Sequence, residues 1–140
     1  MWQKLKHMTY INKSANVYEN AQIGQDCSIG AFVEIQNVKI GDRSRIGANS
    51  FIPDNVEIGR DVFIGPHVVF TNDKRPPSHG KWKNDPATIV EDNVAIGANS
   101  TILPSITLGK GCLVGAGSVV TKSVKPGDIV FGNPAKPIKK

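Results

Sequence analysis

An aliphatic residue recurs at every sixth position along most of this chain, and this period constrains the fold more than any other feature. The series runs from 17 to 35, from 40 to 70 and from 90 to 120, with Phe70 as its one aromatic member. An α-helix does not bury one residue in six, and a half-buried strand has a period of two. A fixed six-residue period is typical of a parallel β-helix built from hexapeptides. The predicted interior residues are Val17, Ile23, Ile29, Ile35, Ile40, Ile46, Ile52, Ile58, Ile64, Phe70, Val90, Ile96, Ile102, Leu108, Val114 and Val120.

Small or β-branched residues recur two positions before the aliphatic ones, and we expect them to fill the interior between the larger side chains. The corners between them often hold Asn, which tolerates left-handed backbone angles better than most residues. Three short strands and three corners then form one coil of about 18 residues, and coils stack at about 4.8 Å. The small residues are Cys27, Val33, Ser44, Ser50, Val56, Val62, Val68, Val94, Ser100, Cys112 and Ser118, and the corner asparagines are Asn49, Asn55, Asn93 and Asn99.

Three segments in the C-terminal part of the chain resemble hexapeptide-repeat acyltransferases, which form left-handed β-helices. They are Ile96–Pro104, Gly115–Lys122 and Gly132–Lys136. Two further segments, Phe32–Gln36 and Phe63–Asp73, resemble the N-acetyltransferases that modify the amino group of nucleotide-linked amino sugars. The resemblance covers nearly the whole chain. It implies an all-β, left-handed parallel β-helix with one long loop and short irregular termini.

The length and composition fit a single domain spanning residues 1–140. Aromatic residues make up only 6% of the chain and there are 14 glycines, as a thin solenoid without a broad aromatic core requires. A prism of this width buries little by itself, so each coil depends on its neighbours. The flat outer faces invite further burial, and the resemblance implies a homotrimer with sites between subunits.

The two cysteines, Cys27 and Cys112, both occupy small interior positions, so we interpret them as packing residues. The chain has no apolar run of 18 residues, and we therefore expect no membrane insertion. The first eight residues contain no apolar stretch and no cleavage pattern, which argues against a secretory signal. We expect a cytoplasmic protein.

One long segment interrupts the repeat, between Phe70 and Val90, where the step is 14 residues longer than usual. Residues 71–87 are polar and rich in Pro, which predicts a loop. Long loops on rigid scaffolds are commonly functional. The net charge of this loop is +2, which suits a diphosphate, and a loop that covers a neighbouring subunit is the other interpretation. Its charged residues are Lys74, Arg75, Lys81 and Lys83, and Asp73 and Asp85.

The resemblance makes Asn72 our first candidate for a catalytic residue, because the matching Asn of the family lies close to the sugar and the reacting thioester. His67 occupies a corner beside the loop, where it is either a turn residue with an exposed ring or a general base. We place both near the acceptor amine. Candidate substrate contacts within the loop are Asp73, Lys74, Arg75 and His79, although His79 also fits a plain surface residue.

The resemblance also implies acetyl-CoA as the co-substrate, with no metal required. The formal net charge is +5, and five lysines against one aspartate follow position 121. No recognition helix or aromatic stacking surface accompanies them, which disfavours a nucleic-acid partner. Lys139 and Lys140 fit a solvated tail. Backbone and phosphate contacts to coenzyme A are assigned to Gly97, Ala98, Ala116, Lys122, Pro134 and Lys136.

The acceptor decides whether a base is essential. A neutral amine attacks a thioester once it is positioned, so orientation and stabilisation of the oxyanion suffice, with a backbone N–H near Gly97 and Ala98 as the donor. A hydroxyl acceptor needs a base, either His67 or His79, and would make the protein an O-acetyltransferase of a sugar or small alcohol. The segment 46–50 lacks the Gln and His of many related sequences, which leaves the acceptor open.

Two further functions remain open. A zinc hydratase with this fold needs three histidines on one metal, and His7, His67 and His79 lack close spacing. A non-catalytic binding or assembly module is the other alternative. Binding of coenzyme A would disfavour both.

Overall fold

Short strands alternate with tight corners throughout residues 8–138, the part of the chain that the computed structural model describes. The single helix in this part is a short 3₁₀ helix, η1 (Lys81–Asn84). The strands are β1 (Tyr10–Ile11), β2 (Asn16–Val17), β3 (Gln22–Ile23), β4 (Ser28–Ile29), β5 (Glu34–Ile35), β6 (Lys39–Ile40), β7 (Arg45–Ile46), β8 (Phe51–Ile52), β9 (Val56–Ile58), β10 (Phe63–Ile64), β11 (Val69–Phe70), β12 (Thr88–Val90), β13 (Ala95–Ile96), β14 (Thr101–Ile102), β15 (Thr107–Leu108), β16 (Leu113–Val114), β17 (Val119–Val120), β18 (Ile129–Gly132) and β19 (Ala135–Pro137).

The strands form the three faces of a prism, because each strand from β1 to β14 pairs in parallel with the strand three places along the chain. At the C-terminal end, β16 pairs in parallel with β18 instead. Sheet A has the order β1-β4-β7-β10-β13-β16-β18-β19, sheet B has β2-β5-β8-β11-β14-β17, and sheet C has β3-β6-β9-β12-β15. Only β18 and β19 pair antiparallel within the described residues. The predicted left-handed parallel β-helix is confirmed, with about seven turns.

Three kinds of corner join the sheets. Corner AB, from sheet A to sheet B, comprises residues 12–15, 30–33, 47–50, 65–68, 97–100 and 115–118. Corner BC comprises residues 18–21, 36–38, 53–55, the loop 71–87, 103–106 and 121–123. Corner CA comprises residues 24–27, 41–44, 59–62, 91–94 and 109–112. The long connection between β11 and β12 at corner BC contains the helix η1.

The six-residue series fills the prism as predicted, with two exceptions. All but two of the 16 residues are buried. Val17 and Ile23 are only half-buried, because β2 and β3 lie at the ends of sheets B and C and are covered by one neighbouring coil alone. Burial of a Val or Ile side chain contributes about 1.5–3 kcal/mol, so this series supplies most of the driving force for stacking.

The small interior residues are all buried, and the serines among them link neighbouring coils. Ser50 Oγ donates to the carbonyl of Gly65 at 2.9 Å and accepts from the N–H of Val68 at 3.2 Å. Ser44 makes the equivalent pair of bonds with Gly59 and Val62. A hydroxyl both donates and accepts, so Ser satisfies two buried backbone groups where an apolar residue would satisfy neither.

The corners require left-handed backbone angles and very close stacking. The four predicted corner asparagines all adopt positive φ, between 61° and 71°. A Cβ added to Gly97 would lie 2.5 Å from the backbone nitrogen of Ala116 in the next coil, so no larger residue fits there. The shorter step between Ile35 and Ile40 forms a tightened turn, in which the N–H of Val38 donates to the carbonyl of Gln36 at 2.8 Å.

Cys27 and Cys112 are buried free thiols, which confirms their interpretation as packing residues. Burial, together with the nearby Asp128 carboxylate, raises the pKa of the Cys112 thiol to about 11. Within residues 8–138, no helix has the length and apolar character needed to cross a membrane.

Candidate functional site

His67 lies at corner AB in a column of left-handed residues that comprises Phe32, Asn49, His67, Asn99 and Gly117. The N–H of His67 donates to the carbonyl of Ala48 at 2.9 Å, and the N–H of Asn99 donates to the carbonyl of Pro66 at 3.1 Å. The imidazole is exposed and stands between Asn49 below and Asn99 above. Asn49 and Asn99 were not predicted as site residues, although both occupy the same hexapeptide position as His67, which was a usable signal.

Corner AB also carries a row of backbone N–H groups without protein acceptors. In residues 8–138, the N–H groups of Ala31, Ala48, Ala98 and Ala116 donate to no carbonyl or side chain. At the same position of corners BC and CA, side chains from neighbouring coils accept hydrogen bonds from Gln25, Asn37, Asp54, Arg60 and Lys110. Alanine offers no such acceptor, so corner AB has spare donors for the oxygen atoms of a ligand.

Gly97 has a structural reason to be glycine, because its Cα faces the Ala116 nitrogen of the next coil. This close approach is by itself a sufficient reason for glycine at position 97, without the predicted contact to coenzyme A. Ala98 is half-buried and Ala116 is exposed, so both lie where a ligand can approach the corner.

The C-terminal end of the prism holds a basic cavity of about 460 Å³. Strand β18 continues to Gly132, whose N–H donates to Ser118 Oγ at 3.2 Å, and the chain then turns back as β19. This turn lies above corner AB. The cavity brings together the predicted residues Lys122, Pro134 and Lys136, and adds Lys125. Three lysines around one cavity favour a phosphate group.

The structure does not bring Asn72 and His67 together within one chain, and the placement of both beside the acceptor stays a prediction. The two residues lie at opposite ends of β11, on corners BC and AB. At about 3.3 Å per residue, the five steps between their Cα atoms amount to about 16 Å along the chain. Asn72 is half-buried, and its Nδ2 atom donates to the carbonyl of Asp54 at 3.4 Å.

Asp73 holds the beginning of the loop through hydrogen bonds to backbone N–H groups. Its carboxylate accepts from the N–H of Ser78 at 2.9 Å and from the N–H of Arg75 at 3.2 Å. The hydrogen bond from Ser78 is the main reason that the pKa of Asp73 lies below its usual value. Asp73 thus has a structural role, and its contact to substrate stays a prediction. Lys74, Arg75 and His79 are exposed on the loop and free to meet a ligand.

The structure contains no group of three or more His, Cys, Asp or Glu side chains that could hold a metal ion within residues 8–138. His7, which the zinc-hydratase alternative requires, lies outside the described residues.

Two hexapeptide families match this chain. The family described as bacterial transferase hexapeptide (six repeats) matches residues 37–72, and the family described as hexapeptide repeat of succinyl-transferase matches residues 87–122. Among curated proteins, the bifunctional protein GlmU of Trichodesmium erythraeum is 33% identical over 132 residues, which are 94% of this chain and 26% of that protein. GlmU of Rubrobacter xylanophilus is 34% identical over 79% of this chain and 22% of that protein. The chain thus spans about a quarter or less of these relatives.

Solved structures share the fold. A variant of perosamine N-acetyltransferase from Caulobacter crescentus, solved with CoA and GDP-perosamine, superposes with a TM-score of 0.84 at 22% identity, over 96% of this chain and 58% of that one. AntD, an N-acyltransferase from Bacillus cereus solved with dTDP and coenzyme A, has a TM-score of 0.78 at 25% identity, over 99% of this chain and 86% of that one. The predicted resemblance to the hexapeptide-repeat acyltransferases is confirmed.

Proposed function

Because this chain belongs to the hexapeptide-repeat transferases, we propose that it transfers the acetyl group of acetyl-CoA to the amino group of a nucleotide-linked amino sugar. The observation that carries the proposal is the arrangement at corner AB, where the unpaired N–H groups of Ala98 and Ala116 lie between the coil of His67 and a cavity lined by lysines. The similar N-acyltransferases solved with coenzyme A and a nucleotide or nucleotide sugar support it.

The residues of corner AB fit acetyl-CoA, which supplies the thioester carbonyl and a thiolate leaving group. The unpaired N–H groups of Ala98 and Ala116 can donate hydrogen bonds to the carbonyl oxygens of an extended ligand. Lys122 and Lys136 then meet the phosphates as point charges. Ala98 lies one coil above His67, which makes its N–H our candidate donor to the developing oxyanion.

The separation of His67 from Asn72 supports a site built from two subunits of a trimer. A threefold interface joins one face of each subunit to a different face of the next. Corner AB of one copy can then meet the loop at corner BC of its neighbour. Sheet A offers an apolar surface for such contact, because Phe63 is 49% exposed and Leu113 43% exposed. The trimer and a cytoplasmic location are parts of this proposal.

The proposed chemistry relies on position. The neutral amine of the acceptor attacks the thioester carbon, the C–S bond breaks, and the departing thiolate takes the proton that the amine loses. Asn72 holds the sugar or the thioester by hydrogen bonds through its amide. Holding the two reactants in line supplies most of the rate acceleration.

One observation favours O-acetyl transfer as the alternative. The exposed imidazole of His67 lies in the same corner as the unpaired N–H of Ala98, so a base and an oxyanion donor are neighbours. A hydroxyl acceptor would need this base.

The variant Asn72→Ala tests the location of the site. Loss of one positioned group costs on the order of 2–3 kcal/mol, so kcat/KM should fall about 30- to 150-fold. Asn84→Ala, which changes an exposed asparagine of the same loop, is the matched control and should stay within about twofold. Full activity of Asn72→Ala would place the site elsewhere.

A further inference from the structure

Two residues from neighbouring coils hold the end of the long loop at corner BC. Asn55 Nδ2 donates to the carbonyl of Asp85 at 3.1 Å and to that of Pro86 at 3.4 Å. From the coil above, Ser105 Oγ donates to the same Pro86 carbonyl at 2.6 Å. The returning chain is thus clamped between one amide and one hydroxyl.

Asn55 and Ser105, the two clamp residues, both adopt unusual backbone angles. Asn55 has φ of 71° and Ser105 has φ of 62°, the left-handed region that Asn tolerates and Ser seldom adopts. The N–H of Ser105 donates to Oγ1 of the buried Thr88 at 2.9 Å, which fixes the corner from the other side. A serine at this strained position is explained by its bond to Pro86.

The beginning of the loop meets the same corner. Asn72 donates to the carbonyl of Asp54, next to Asn55 in the chain. Trp82 of the helix η1 lines a cavity of about 200 Å³ together with Asp54 and Asn55. The beginning, the helix and the end of the loop therefore all rest on one turn of the preceding coil.

We infer that Asn55 and Ser105 are positioning residues, which fix the loop and thereby hold Asn72 in the geometry that acceptor binding requires. The kinetic part of this inference rests on the proposed function. Neither residue needs to touch the substrate. Their effect passes through Pro86 and the corner carbonyl of Asp54 to the candidate site.

Limited proteolysis tests the clamp without any need for activity. Asn55→Gly removes the two clamp bonds to Asp85 and Pro86, and Ser105→Gly removes the single bond to Pro86. Both keep a residue that accepts positive φ. Asn93→Gly is the matched control, because Asn93 has φ of 61° at corner CA and does not contact the loop. Trypsin cleavage after Lys81 and Lys83, followed by mass spectrometry, should accelerate at least about three- to tenfold in the two clamp variants, as loss of one or more hydrogen bonds allows. Cleavage no faster than in Asn93→Gly would overturn the inference.

Steady-state kinetics tests the positioning role. Both clamp variants should raise KM for the acceptor about three- to tenfold and leave KM for acetyl-CoA and the melting temperature close to those of Asn93→Gly. Accelerated cleavage with an unchanged acceptor KM would refute positioning of the site. An unmodified protein that transfers to no acceptor would instead refute the proposed function, and the cleavage rates would still decide whether the clamp exists.

Discussion

The variant Gly97→Ala tests how tightly the coils stack at corner AB. The added Cβ would lie 2.5 Å from the nitrogen and 2.8 Å from the Cα of Ala116, and 3.0 Å from the carbonyl carbon of Gly115. All three neighbours are backbone atoms, so no flexible side chain can move aside. Overpacking of this kind costs about 1–3 kcal/mol. Replacing Gly also lowers the conformational entropy of the unfolded chain, which stabilises the folded protein by about 0.4–1 kcal/mol.

The free-energy cost of overpacking exceeds the stabilisation from the lower entropy of the unfolded chain. We therefore expect a net destabilisation of about 1–2 kcal/mol and a fall in Tm of about 3–8 °C. Differential scanning calorimetry at one fixed protein concentration measures it. Gly117→Asn is the control, because Gly117 has φ of 70° and open space around it, and the coil below has Asn99 at this position. Its free energy of unfolding should change by less than about 0.5 kcal/mol. A Tm for Gly97→Ala equal to that of the unmodified protein would show that the coils do not approach this closely.

Four further predictions concern single side chains. His67→Ala should lower kcat modestly with an amine acceptor and by roughly two to four powers of ten with a hydroxyl acceptor, which steady-state rates distinguish. Lys136→Glu should weaken coenzyme A binding in calorimetric titration with the fold intact; unchanged affinity would remove this residue from the site. The hydrogen bond from Ser78 depresses the pKa of Asp73, so the contribution of Asp73 to loop stability is present above the unfolded pKa and is lost as pH falls through the folded pKa. Protection of the loop amides, measured relative to the intrinsic exchange rate at each pH, should fall there in the unmodified protein and not in Asp73→Asn. The Cys112 thiol, with its pKa raised to about 11, should resist iodoacetamide at pH 8 until the protein is unfolded in guanidinium, and rapid labelling of the folded protein would contradict its burial.

The sequence predicts the fold well because each hexapeptide encodes the same local geometry. The interior series needs only the period, and Val17 and Ile23 depart from it because the end of a stack has one neighbour instead of two. The corner asparagines were identified from their backbone preference. Phe32 and Ser105 adopt the same left-handed angles without that preference, because stacking on adjacent coils imposes the turn.

The site is harder to predict, because it depends on how the corners wind around the prism. His67 and Asn72 are five residues apart in sequence, and this spacing places them on different corners. Lys122 and Lys136 are distant in sequence and line one cavity, because β18 runs past the usual corner and turns back as β19. The repeat contains no signal for that hairpin. The clamp formed by Asn55 also depends on contacts across 30 residues, which a period of six cannot reveal.

The most direct measurement is release of free thiol from acetyl-CoA by the purified protein, against a panel of nucleotide-linked amino sugars, the matching nucleotide-linked sugars with a hydroxyl in place of the amine, and plain sugars. The account predicts stoichiometric thiol and N-acetylated product with at least one amino sugar nucleotide, and background rates with its hydroxyl counterpart. Equal or faster release with the hydroxyl acceptors, or no release with any acceptor, would contradict it.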